Sequence, residues 1–145
     1  WQAFRDAEMP ALNLRYLTAI ILIDRRLDFV SAQSLERMRN DATVRALMSR
    51  VEIAHDTAQE TPPGQPRAES ARVIFTDTAG ARRETLVPYV LGYPSHPMSR
   101  ADVEAKAADL MTPSLGAARA RAVIARCREF ETMKNAGDLA RLIAT

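Results

Sequence analysis

Between Leu12 and Ile23 the apolar residues Leu12, Tyr16, Ala19, Ile20 and Ile23 recur at steps of three and four, a spacing that lays one stripe along a helix. Leu14, Leu17, Ile21 and Leu22 make much of the remaining circumference apolar as well. A helix that is hydrophobic nearly all round needs cover on several sides, so the pattern implies a partner beyond this short chain. Asp28-Phe29-Val30-Ser31 breaks the stripe, and Ser31 reads as the N-cap of a second helix through Leu35 and Met38. Asn40-Asp41 restarts a short helix with Val44, Leu47 and Met48.

The period then changes from helical to two. Arg50 to His55 places Val51 and Ile53 on one face and predicts a strand. Thr57 to Arg67, with Pro62, Pro63, Gly64 and Pro66, predicts a loop. Ala71, Val73 and Phe75 alternate with Arg72, Ile74 and Thr76, and Glu84 to Leu91 alternates again. Gly80 between them supplies the positive φ of a tight reversal, giving an antiparallel hairpin. Pro88 has no N–H, so the second strand is expected to carry an edge or a bulge there.

Ser99 and Asp102 match a capping box that opens a helix reaching about Leu110. Thr112-Pro113 reads as a cap followed by proline at the first position of another helix. That helix carries Leu115, Ala118, Ala122, Val123, Cys127 and Phe130 along one side, with Arg119, Arg121, Arg126 and Arg128 forming a solvated face. Gly137 breaks it, and Asp138 to Ile143 forms a last amphipathic turn. The expected architecture is one α+β domain over residues 1–145, with helices in 10–49, a sheet in 50–91 and helices in 99–145. Its core is a small antiparallel sheet of about three or four strands, flanked by N-terminal and C-terminal helices.

Composition narrows the function classes. The 145 residues are 47% hydrophobic and 26% charged, ordinary for a globular domain. The longest apolar run, Leu17 to Ile23, stops at Asp24-Arg25-Arg26 and falls far short of the ~20 residues a bilayer requires. No secretion leader is visible, so no membrane and a cytoplasmic location are expected. The net charge is only +2. The 18 arginines are scattered among 18 acidic residues without interleaved aromatics, which argues against nucleic acid.

The chemistry-bearing residues are few. One cysteine, Cys127, excludes an internal disulfide and is expected to be a buried, inert thiol. His55 and His96 lack ligand spacing, so neither a metal nor another cofactor is expected. No P-loop, dinucleotide fingerprint or nucleophile elbow is present.

Three tracts together resemble the MmgE/PrpD superfamily, which includes 2-methylcitrate dehydratase, cis-aconitate decarboxylase and iminodisuccinate epimerase. Asn13-Leu14-Arg15-Tyr16-Leu17-Thr18-Ala19 is similar to the family's S-L-x-Y-x-x-A helix. Asp41 to Ile53 is similar to its D-P-x-V-x-x-L-x-x-K-V-x-V passage from helix to strand. Gly92, Pro94, Pro97, Met98 and Ser99, followed by Asp102, Glu104 and Lys106, resemble its G-H-P-x-N-P-M-S segment and the helix beyond it. Tyr93 and His96 depart from the histidine and asparagine common at those positions. The resemblance covers the C-terminal part of such enzymes, an α+β lid.

What the resemblance implies is a lyase or isomerase that moves a proton beside a carboxylate of a small di- or tricarboxylic acid. Such chemistry needs a base, an acid and cations for the carboxylates. In the family most of these come from a helical N-terminal domain, the implied partner in the same or a separate chain. A homodimer is also implied, and the domain by itself should be inactive, as a dehydratase fragment would be. Tyr16 is the candidate catalytic residue, as hydrogen-bond donor or proton relay; a buried, satisfied phenol is its structural use. No substrate-binding residue can be assigned. Pro10, Ala11 and Leu12 stand where the family often has a lysine or another polar residue. Lys106 has a simpler use in an ion pair, and His96 in the turn. Arg25 and Arg26 fit a helix C-terminus, where positive charge suits the dipole. The alternative is a non-catalytic interaction or dimerisation module that keeps the fold.

Overall fold

The computed structural model describes residues 2–66 and 68–144. Trp1, Arg67 and Thr145, at the ends of the expected loop and domain, lie outside the described residues. The chain forms two compact units: one runs to His55 and resumes at Glu104, and the other is Asp56–Val103.

The first unit is helical. A short helix α1 (Gln2–Arg5) and a single 3₁₀ turn at Pro10–Leu12 precede α2 (Leu14–Asp24). The helix starts two residues later than its apolar stripe because Asn13 caps it, the side chain accepting from the Tyr16 N–H at 2.9 Å. Three short helices follow: α3 (Phe29–Ala32), α4 (Leu35–Asn40) and α5 (Ala42–Met48). Ser31 is not the cap expected from the sequence. Asp28 caps α3 in a reciprocal capping box with Ser31, and Ser34 caps α4 by accepting from the Arg37 N–H at 3.2 Å. Asp41 caps α5 as its position suggested, accepting from Thr43 and Val44.

The core of this unit lies between α2, α4 and α5. Tyr16, Ala19, Ile20 and Val44 are fully buried and Met38 nearly so, with Leu17, Leu47 and Met48 packed around them. Burying an Ile or Val side chain contributes about 1.5–3 kcal/mol, so this small cluster holds α2 in place. The rest of the α2 circumference stays bare: Leu14, Ile21 and Leu22 are 38, 43 and 50% exposed.

The second unit holds β1 (Ala71–Thr76) and β2 (Arg82–Val87), paired antiparallel with Ala71 opposite Val87 and Thr76 opposite Arg82. Gly80 closes the reversal at φ 84°, and Asp77 accepts from the Ala79 and Ala81 N–H groups. The fold is α+β, but the sheet has two strands, not three or four. Val51 and Ile53 are half-buried and Glu52 exposed, as the alternation foretold, yet residues 50–55 join no ladder. A period of two shows which side chains are covered, not whether a neighbouring backbone is there to pair with. The second strand stops at Val87, short of Leu91, because Pro88 has no N–H to offer.

The expected two-helix C-terminus is divided elsewhere. A single α6 (Arg100–Leu115) runs through Thr112-Pro113, and Gly116, at φ 76°, separates it from α7 (Ala117–Arg128). Proline in the last turn forfeits the hydrogen bond to the Asp109 carbonyl, and one residue earlier the Thr112 hydroxyl donates to the Ala108 carbonyl at 2.6 Å. A 3₁₀ turn at Phe130–Thr132 leads to α8 (Gly137–Ile143).

Candidate functional site

Tyr16 is placed by the cap of its own helix. Asn13 accepts from its N–H and donates to the Ala7 carbonyl at 2.8 Å, fixing the first turn of α2. The ring then falls on the stripe with Ala19 and Ile20, and no part of the residue is exposed. Its hydroxyl donates to the Ser31 carbonyl at 2.6 Å, so α3 covers the phenol. Burial pushes the phenol above its ordinary pKa of 10.0; the Arg37 charge and a hydrogen bond with Ser34 pull the other way. At neutral pH it is a protonated donor.

Beside it lies an ionic cluster contributed by three helices. Arg37 of α4 grips Asp24, at the end of α2, through two parallel bonds of 2.5 and 2.8 Å. Its Nε also lies 3.7 Å from Asp41, the α5 cap. These bonds hold the Asp24 carboxyl below its usual range and raise the Arg37 guanidinium. All three side chains remain partly open to solvent. The site therefore offers a neutral phenolic donor next to a fixed guanidinium, a pairing suited to a carboxylate, although Ser31 and Asp24 occupy both in this structure.

The other sequence candidates lie apart from this cluster. Arg25 ends α2 in the left-handed conformation, and Arg26 pairs with Asp28 at 3.1 Å; both are exposed. In the second unit His96 lies in a tight turn: its N–H donates to Tyr93, its carbonyl accepts from Gly92, and its Nδ1 is 3.3 Å from the Tyr89 carbonyl. Ser99 and Asp102 form the expected box, with the Asp102 carboxyl lowered mainly by the Ser99 hydroxyl. Lys106 is exposed; Asp102 is bonded by Ser99, and Glu104 by Arg128. The arginine face of α7 is more engaged than a solvated run, since Arg119 reaches the Ala144 carbonyl and Arg126 pairs with Glu129 at 2.9 Å. Cys127 is exposed, contrary to the buried thiol expected. The stripe through Ala120 and Val123 does run on to it, but in the last turn of α7 Ala125, Cys127 and Arg128 are exposed and only Arg126 is half-buried.

The capped apolar helix carrying Tyr16, the tract from Asp41 to Ile53 and the Pro-punctuated turn into α6 all fall within the span of one known family. The MmgE/PrpD C-terminal domain matches residues 5–129. The chain belongs to this family. Neither a curated protein nor a solved structure matches it. The match spans all three tracts on which the resemblance rests, and it makes a MmgE/PrpD N-terminal domain the implied partner.

The sequence singles out Tyr16 as a candidate but not the groups around it. The Asp24–Arg37 pair joins positions 13 apart on different helices, which no motif signals. The D-x-x-S box at Asp28 was readable by the same rule that found Ser99-x-x-Asp102.

Proposed function

We propose that this MmgE/PrpD C-terminal domain serves as the lid of a lyase or isomerase that moves a proton beside a carboxylate of a small di- or tricarboxylic acid, as a 2-methylcitrate dehydratase does. The match over residues 5–129 carries this reading. Tyr16 contributes a neutral hydroxyl that donates to a substrate carboxylate or relays a proton. The helical N-terminal domain, in the same or a separate chain, supplies the remaining acid, base and cations, and two such assemblies form a homodimer in the cytoplasm. By itself the domain turns nothing over.

The test is turnover of 2-methylcitrate, cis-aconitate and iminodisuccinate by a protein that joins this domain to its helical N-terminal domain. Product should form with the joined protein and not with the 145-residue chain. Tyr16→Phe in the joined protein should lower kcat about a hundredfold. A wild-type kcat in that variant would remove the phenol from the chemistry. A folded joined protein inert towards all three acids would count against the enzyme reading itself.

One observation favours a second reading. The bare side of α2, with Leu14, Ile21 and Leu22, suits a binding module that uses the fold to associate and performs no reaction. Stable association together with inactivity of the joined protein would select it.

A further inference from the structure

We propose that α3, the four residues Phe29–Ala32, is a strap over the Tyr16 phenol that opens locally while α2, α4 and α5 stay packed. The inference rests on the role given to Tyr16 above, because it describes how that hydroxyl becomes available.

The strap is held by polar contacts at few points. None of its residues is fully buried: Val30 is 62% exposed and Phe29 and Ala32 are half-buried, so its apolar hold on the core is partial. Its first N–H, that of Phe29, donates to Asp109 Oδ2 of α6 at 2.8 Å. Its third carbonyl, that of Ser31, accepts the Tyr16 hydroxyl at 2.6 Å. The Asp28–Ser31 capping box is internal to the segment and travels with it. By contrast, the tyrosine ring sits among fully buried neighbours on α2 and α5. Two hydrogen bonds and the partial burial of Phe29 and Ala32 thus join a small helix to a packed platform, and segments so attached open at a fraction of the cost of global unfolding. Opening exchanges the Ser31 carbonyl for another acceptor on the phenol. A carboxylate oxygen forms the stronger, charge-assisted bond and is favoured in that exchange.

Nitration of tyrosine by tetranitromethane, quantified residue by residue by peptide mass spectrometry, reads this opening directly on the 145-residue chain. Tyr89 and Tyr93 serve as internal references. Asp109→Asn replaces the charged acceptor of the Phe29 N–H and leaves the strap's side chains untouched, and Phe29→Pro removes the donor together with its half-buried ring. Proline suits this first helical position, and the extended backbone of Asp28, at φ −117° and ψ 166°, tolerates a following proline. Each variant should nitrate Tyr16 roughly fivefold faster than wild type, with the reference tyrosines unchanged and the helical circular dichroism intact. Wild-type rates at Tyr16 in both variants would overturn the strap. So would Tyr16 nitration that rises only with urea concentrations that unfold the helices. Because the readout is exposure of the phenol, it is independent of turnover and of whether the enzyme reading survives.

Discussion

At the scale of single residues, the Asp24–Arg37 pair sets a pH dependence. The Asp24 carboxyl is held below its ordinary value of 3.8, chiefly by the Arg37 hydrogen bonds. A group whose folded pKa is depressed stabilises the fold above its unfolded value, and that stabilisation is lost as the pH falls through the folded one. Asp24 therefore contributes fully at neutrality and progressively less below 3.8. Asp28, lowered mainly by its bond from the Ser31 N–H, follows the same sign. Urea titrations of wild type and Asp24→Asn at a series of pH values isolate the first term. The variant should unfold at lower urea at neutral pH, and the gap should close as the pH drops below 3.8. A gap that stays constant would mean that the pair does not couple to folding. Residue-level chemistry was only half legible in advance. Tyr16 stood out through a local motif, whereas its acceptor Ser31 and its neighbour Arg37 come from separate helices whose approach depends on packing.

At the scale of elements, local rules worked where a cap or turn residue acts through its own backbone. Asn40-Asp41, Ser99-x-x-Asp102 and Gly80 all sit where their chemistry demands. They failed where two rules competed. Thr112-Pro113 has the form of a helix start, but Gly116 is the true boundary, and the proline is absorbed in the final turn of α6. The reason lies in the Gly116 backbone, at φ 76° and ψ 154°, a region open essentially to glycine alone. Gly116→Ala should therefore cost about 1–3 kcal/mol, through backbone strain and not a clash, since nothing stands within 4 Å of an added Cβ. Pro113→Ala, which restores a helical N–H, serves as the comparison and should be neutral or stabilising. Chemical denaturation of both variants checks this. A neutral Gly116→Ala would show that the boundary is not set by the glycine.

At the scale of the whole molecule, too little apolar surface is covered for the length of the chain. Bare apolar side chains lie on α2 of the first unit, at Leu14, Ile21 and Leu22, and on the hairpin of the second. There Val73, Phe75 and Val87 line one face and Ile74 and Leu86 the other, all at least 41% exposed. A two-stranded sheet bare on both faces is marginal in water, so the hairpin is the less self-sufficient of the two surfaces. The apolar circumference of α2 announced this shortage from sequence alone, whereas the third strand expected beside the hairpin did not form. Both follow from one limit: periodicity records which residues require cover without saying what provides it. The isolated chain should accordingly bind an apolar dye such as anilinonaphthalene sulfonate, or sediment as an oligomer that hides these faces. Ile21→Glu with Leu22→Glu should reduce whichever occurs and leave the core of Tyr16, Ile20 and Val44 intact, because both positions point away from it. A compact monomer that binds no dye would remove the case for a missing partner. Loss of helical signal in the double variant would instead show that this side of α2 is covered within the chain itself.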